Sequence, residues 1–272
     1  MQAGPIDLVV QAWGEAACVA AARAAASAVF DAILPDLCRE LPLLRTPLPA
    51  PMPAGAVARA MHAACLPHAA GFITPMAAVA GAVADAVLAA MRAAAPLDRA
   101  VVNNRGDIAF HVTPGHPVRC GLVTQVADPA LDGAFLLDAA RPSRGIATSG
   151  RACKGRGGRS FSFGIADSVT ILARTAAMAD AAASVVGNAV DLPGHPAVLR
   201  RSADSIDADS DLGHRLVTLD VGPLTPAEVA RALEHGRGVA AGLVDIGLID
   251  GAVLALRGEI VTHWRQPELR AA

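Results

Sequence analysis

Three short segments set polar or glycine residues into an otherwise apolar sequence, and each has a chemistry its residue types would serve. In Asn103-Asn104-Arg105-Gly106-Asp107-Ile108 the Asn, Gly and Asp suit a tight turn with positive φ between two strands. The same residues would also serve a ligand, Gly106 letting it approach the backbone while Asn104 or Asp107 hydrogen-bonds it. In Gly145-Ile146-Ala147-Thr148-Ser149-Gly150, glycines and small hydroxyl residues can present backbone N–H groups to an anion. Arg151, Lys154, Arg156 and Arg159 follow and would add charge for a phosphate. The Walker pattern is absent, and a solvated loop is the competing reading. The third segment is Ala176–Ser184, where Asp180 and Ser184 stand four apart and share one helical face. A carboxylate amid alanines is costly unless paired or bound to a cation. Together with a hydroxyl it suits a hard ion such as Mg²⁺. The competing reading has Asp180 facing water near a helix N-terminus, where the macrodipole favours it.

Other chemistries lack support. The eight histidines form no H-x-x-H or H-E-x-x-H arrangement for zinc, and no serine has a G-x-S-x-G setting. Asp204, Asp207, Asp209 and Asp211 imitate part of an EF-hand but lack its glycine and terminal glutamate, so a polar loop is expected. Cys18, Cys38, Cys65, Cys120 and Cys153 are odd in number and have no C-x-x-C spacing, which argues against a disulfide frame or a zinc knuckle. Cys153 alone lies among basic residues that would favour its thiolate.

The 272 residues are 53% hydrophobic, 18% charged and 3% aromatic, with formal charge -2 and Lys154 as the single lysine. Disorder needs lower hydrophobicity and higher net charge, and a nucleic-acid binder needs a basic balance. The alanine and arginine bias fits a GC-rich coding sequence. The most apolar stretch, Met76 to Met91, carries Asp85 in its middle, and the first ten residues have no basic start before an apolar run. The expectation is a cytoplasmic chain with neither a membrane nor a nucleic acid as partner.

The elements that would position these segments follow from periodicity and punctuation. A short strand is expected at 6–10, a long alanine-rich helix over 11–33, and a loop from Pro42 to Pro53. A second helix starts at Thr74-Pro75 and ends near Ala94. Strands are expected at Ala100–Asn103, Asp107–Val112, Val118–Thr124, Phe135–Asp138, Gly145–Thr148 and Ser168–Ala173. Thr175 caps a helix over 176–190, and Thr225 one over Pro226–His235, with a strand at Leu216–Val221 before it. Two closing strands, Ala241–Leu248 and Ala252–Thr262, would turn at Asp250-Gly251. The irregular interleaving indicates α+β: one domain over 1–272, or two closely packed halves near 1–150 and 151–272.

Taken in order, TPMAAVAGAVADAV (74–87), VVNNRGDIA (101–109), GIATSG (145–150), GRSFSFGIADSVTILA (158–173), ADAAASVVGNAV (179–190) and SDLGHRLVT (210–218) resemble the ApbE-like superfamily. They are most similar to its uncharacterised branch, related to the FAD:protein FMN transferases. The transferase pattern K-G-x-x-x-D meets Ala80-Gly81 and Asp85, with alanine for lysine. G-G-[DE] meets Arg105-Gly106-Asp107, and A-D-A-x-x-T meets Ala179-Asp180-Ala181 and Ser184. The transferases' H-I-x-D-P-R-T-G segment has no counterpart, so their histidine general base is missing.

The resemblance implies an ApbE-like α+β fold, with mixed sheets and long alanine-rich helices packed against them. It implies a flavin- or nucleotide-like ligand, FAD or FMN, held by Asn104, Gly106, Asp107, Thr148, Ser149, Gly150, Arg159 and Gly81, with Arg156 near its phosphates. It further implies Mg²⁺ on Asp180, Ser184 and the Val79 carbonyl, in the service of flavin or phosphate-group transfer. The alternative is an accessory protein of small-molecule metabolism, such as sulfur or one-carbon assimilation, that keeps the fold without the chemistry. Its apolar N-terminal helix would then pack against a protein partner or a second subunit.

Overall fold

A computed structural model of the chain describes residues 1–124, 131–150 and 161–265. The chain opens with β1 (Gln2–Ala3) and β2 (Ile6–Trp13), then the long helix α1 (Ala16–Arg39), the single turn α2 (Leu41–Leu44), and the helices α3 (Ala56–Cys65) and α4 (Val79–Ala94). Five strands follow: β3 (Arg99–Asn104), β4 (Asp107–Val112), β5 (Val118–Leu122), β6 (Gly133–Leu137) and β7 (Gly145–Ser149). The last part holds β8 (Ser168–Ala173), α5 (Ala176–Ala189), β9 (Val198–Ser202), β10 (Leu216–Val221), α6 (Pro226–Asp245), β11 (Gly251–Leu256) and β12 (Glu259–Trp264).

Eight strands form one sheet in the order β1-β2-β3-β4-β7-β8-β11-β12, every neighbouring pair antiparallel. Two separate ribbons, β5-β6 and β9-β10, complete the strands. Antiparallel sheet with segregated helices is an α+β architecture, as the interleaving implied.

Side-chain alternation assigns the layers. Ala100, Val102 and Ala109 pack with α1, α3 and α4, while Ala147, Val169 and Ile171 pack with α5 and α6. The intervening Phe110, Val112, Ile146 and Leu172 face the other side, under Leu137 of β6. Alanine is what the helix layer requires. A Cβ on Gly81 of α4 would stand 2.2 Å from the Ala176 carbonyl oxygen, and one on Gly145 of β7 would stand 2.1 Å from the Thr175 carbonyl carbon. The first turn of α5 is thus wedged between α4 and β7 with no room for a methyl group on either.

Several boundaries differ from the expectation. Gln11, Ala12 and Trp13 continue β2 because they pair with Val101, Ala100 and Arg99, and the Arg99 guanidinium covers the Trp13 ring at 4.4 Å. The helix therefore starts at Ala16, after Gly14 turns the chain at φ 145°, and runs through Pro35 to Arg39. The proline-rich passage contains α2, and β1, α3 and β9 had no expected counterpart. Ala241–Leu248 is not a strand. Leu233, Gly236, Ala240, Leu243 and Val244 are buried at helical spacing, so this apolar run extends α6 to Asp245. The closing hairpin turns at Arg257-Gly258, both with positive φ, rather than at Asp250-Gly251.

Two stretches, Ala16–Arg39 and Pro75–Ala94, are long and apolar enough to cross a membrane by length and composition. The second packs against α1, α5 and the sheet. The first has only 22% of its most apolar window buried.

Candidate functional site

Two helix starts cross beside the sheet, and each is held by an aspartate of the other helix. Asp85 of α4 accepts from the Ala176 and Ala177 amides of α5, at 3.0 and 2.9 Å. Asp180 of α5 accepts from the Gly81 amide of α4 at 3.0 Å, with the Ala80 amide alongside. The first amides of any α-helix lack intrahelical acceptors and carry positive dipole ends, so each carboxylate answers a need of its neighbour. Thr175 supplies the remaining cap of α5, its hydroxyl accepting from Met178 N–H at 3.1 Å.

The β3–β4 turn enters the same junction. Asn104 pairs with Asp107 across a two-residue loop in which Arg105 and Gly106 take φ 57° and 111°. This is the positive-φ turn expected of the segment, and Asn103 Oδ1 accepts from Gly106 N–H at 2.8 Å. Asn104, only 5% exposed, donates through Nδ2 to the Ala80 carbonyl at 3.1 Å. Asp107 accepts from Thr148 N–H at 3.3 Å. Asp180 is near enough for its negative charge to oppose the ionisation of Asp107, and Asp85 in turn opposes that of Asp180. Burial holds the Asp107 carboxyl well above the usual carboxylate range, and the Asp180 charge adds to it. Burial likewise pushes Asp180 up to about 7, against the lowering pull of the Gly81 and Ala80 amides.

The anticipated residues divide. Asn104, Asp107, Asp180, Gly81 and the Thr148 amide converge on the junction, and Val79 opens α4 two residues before Gly81. Ser184 lies one turn beyond Asp180 on α5, and Gly187, three residues further, is the place where Ser149 approaches. A Cβ on Gly187 would stand 3.7 Å from Ser149 Oγ, so Asp180, Ser184 and Gly187 form one stripe along the helix. The Thr148 side chain goes elsewhere. Strand alternation sends it to the face opposite α5, where its hydroxyl pairs with that of Thr170 at 2.9 Å. Only its backbone takes part. Gly106 and Gly150 act as conformational residues, Gly150 at φ 136° where a Cβ would stand 2.3 Å from the Asp167 carbonyl oxygen. Arg151, Cys153, Lys154, Arg156 and Arg159 lie outside the described residues.

The sequence reading took Asp85 as part of a pattern and missed that it caps α5. Its position in the middle of an apolar helix was the available signal, since a carboxylate there needs donors.

Among the described residues no three His, Cys, Asp or Glu side chains form a metal-ligating group. The donors at the junction are instead two carboxylates, a hydroxyl and backbone carbonyls. Such hard oxygens suit Mg²⁺, which keeps several waters and takes one or two carboxylates from a protein. A cation beside Asp107 and Asp180 would relieve the repulsion that Asp180 exerts on Asp107.

A family model described as AbpE bacteria matches residues 1–262. A UPF0280 protein of Methanothrix thermoacetophila is 34% identical over 181 residues, covering 66% of this chain and 70% of that one. A UPF0280 protein of Methanospirillum hungatei is 40% identical over 121 residues, covering 44% of this chain and 46% of its own. The chain thus spans less than half the length of the second relative in that match. Among solved structures, the apo form of the Pseudomonas stutzeri flavinyl transferase ApbE covers 71% of this chain and 47% of its own, at 15% identity and TM-score 0.37. The ApbE protein of Thermotoga maritima covers 92% and 76%, at 15% identity and TM-score 0.39.

Proposed function

The chain belongs to the family described as AbpE bacteria, and from that premise we propose that it binds a flavin- or nucleotide-like ligand with Mg²⁺ at the junction of α4, α5 and the β3–β4 turn. The observation that carries this reading is the gathering of buried carboxylates, Asp107 raised by burial and by the charge of Asp180, and Asp180 raised by burial and by the charge of Asp85. Such a pair stays doubly ionised only beside a positive charge. Asp180, Asp107, Ser184 and the Val79 carbonyl would hold the ion, and the ion would supply Lewis-acid polarisation of a phosphate. Asn104 orients the start of α4, the Thr148 amide orients Asp107, and Gly150 keeps the end of β7 close to Asp167.

Flavin or phosphate-group transfer is the chemistry we assign to this junction. Free Cys18, Cys38, Cys65 and Cys120 suit a reducing compartment, and we place the protein in the cytoplasm. The test is calorimetry of the purified chain with Mg²⁺ and FAD, followed by assay for AMP release. Binding that needs the metal and is lost in Asp180→Asn supports the reading. FAD that fails to bind with or without Mg²⁺, or an Asp180→Asn variant equal to wild type, overturns it.

A second reading, a non-catalytic protein that associates through α1, draws on the poor burial of that apolar helix. A second copy of the chain on that face would give a dimer by light scattering, and a monomer would dismiss it.

A further inference from the structure

A cavity of about 530 Å³ opens at the other end of the same strands. Arg144 immediately precedes β7, and Arg174 immediately follows β8. Thr148, near the far end of β7, is four residues from Arg144, or about 13 Å along a strand. Arg92, from the last turn of α4, completes a set of three arginines lining the cavity, and His68 lines it too. The floor is apolar and includes Leu88, Phe110, Met178 and Leu248.

We propose that this cavity binds a small, multiply charged oxyanion, a phosphate ester or a di- or tricarboxylate, whose apolar part rests on that floor.

The charges around the cavity do not balance without one. Asp85 is the one acidic side chain on its wall, and both of its oxygens already accept from the Ala176 and Ala177 amides. Three positive charges therefore face one engaged negative charge, in a chain whose formal net charge is -2. Arg92 and Arg174 make no hydrogen bond or ion pair among the described residues. Arg92 has an intrahelical reason for its place, since the last turn of α4 favours a cation. Arg174 has the opposite. It directly precedes Thr175, the cap of α5, where the helix presents its positive end. A cation there is opposed by the dipole and by two like charges unless an anion is held between them.

Arg144 is fixed for such a purpose. Its Nη1 donates to the Arg141 and Ser143 carbonyls, both at 2.6 Å, and its Nη2 to Ala139 at 3.3 Å. A guanidinium held by backbone carbonyls loses little freedom when it takes an oxyanion in its fork. His68 is kept toward its neutral form by burial, so it would add a hydrogen bond rather than charge. The volume falls within the range of small-molecule sites, and the lining has their usual character, an apolar body with few polar anchors.

The site adjoins the Asp180 junction through Asp85, Thr175 and Ala177 but includes none of the residues proposed to hold the ion, and EDTA keeps the two distinguishable. Calorimetry of the full chain in EDTA at low salt, with inorganic pyrophosphate in one arm and citrate in the other, tests it. Binding of either anion is expected, weakened about tenfold or more in an Arg92→Ala/Arg174→Ala double variant. Both side chains are exposed and without partners, so the double variant should keep the wild-type fold and unfolding midpoint. Arg231→Ala, which removes an exposed arginine from α6, should bind as wild type does. Preference for pyrophosphate identifies a phosphoryl ligand, and preference for citrate a carboxylate. Failure of both anions to bind in the low millimolar range overturns the proposal. So does binding that survives the double variant, or that falls equally in Arg231→Ala.

Discussion

Asp180 carries its consequences in its proton. With its carboxyl raised to about 7, the folded chain holds this proton after the unfolded chain has released it at the ordinary value of 3.8. Stability should therefore fall as pH rises from about 4 to about 7 and level off above that, because the native state binds more protons across the window. Asp107 and Asp85, both raised, act in the same direction. Glu228, lowered to about 2 chiefly by the Thr225 backbone amide, acts in the opposite sense but only below its ordinary 4.5. Thermal unfolding from about pH 5 to about pH 8 should show the decline in wild type and a shallower one in Asp180→Asn, whose amide oxygen can still accept from Gly81. An equal decline in both would place the proton elsewhere. Thiols give a second check. Cys65 is fully buried with its thiol pushed up by burial, whereas Cys38 is exposed. Mass mapping after alkylation of the native chain should find Cys38 modified and Cys65 protected. The spacing of Asp180 and Ser184 was readable in the sequence because helical period alone puts them on one face. That Thr148 contributes an amide rather than its hydroxyl was not readable, because strand register decides which way a side chain points.

At the level of elements, the contact between α4 and α5 tolerates nothing larger than glycine at position 81. Gly81→Ala places a methyl 2.2 Å from a backbone carbonyl oxygen, so one helix must shift. Overpacking of this kind costs about 1–3 kcal/mol or more. The exposed Gly242 of α6 is the counter-case, with nothing within 4 Å of a Cβ built there. Gly242→Ala should stabilise the chain by about 0.5–1 kcal/mol through helix propensity. Chemical denaturation of the two variants reads both signs. The start of α6 offers a third measurement. Thr225 and Glu228 form a reciprocal capping box, and His195 Nε2 lies 2.8 Å from Glu228 Oε1. Thr225→Ala should cost about 1 kcal/mol. Both helix starts were legible from Thr-then-apolar punctuation, and the positive-φ turn at Arg105-Gly106 from its residue types. The extension of α6 through Ala241–Leu248 was not legible locally. A short apolar run with glycines fits strand or helix equally, until the burial of Leu233, Ala240 and Val244 on one face settles it.

Across the whole molecule, the eight-stranded order sets the pattern of protection. Every residue of β8 and β11 is buried, while β5 and β6 form a two-stranded ribbon with alternate residues open to solvent. Native-state hydrogen exchange should be slowest in β8 and faster by orders of magnitude in β5 and β6. Composition and interleaving implied the fold class. The strand order was out of reach, because β4 meets β7 and β8 meets β11 through pairings that no local sequence pattern encodes. The same is true of the crossed helix starts. The Asp180–Gly81 bond spans 99 residues of chain, and the Asp85 bonds to Ala176 and Ala177 span 91 and 92. Closing a loop of that length costs about 4 kcal/mol in chain entropy, and it is charged only once, because the first bond brings the other partners into reach. The two helix beginnings are therefore expected to lock together in one step, slow in the way long-range contacts are slow. A chain released from denaturant should gain helical signal first and native-like titration of Asp180 afterwards, so the site completes itself only when two segments 91 to 99 residues apart have met.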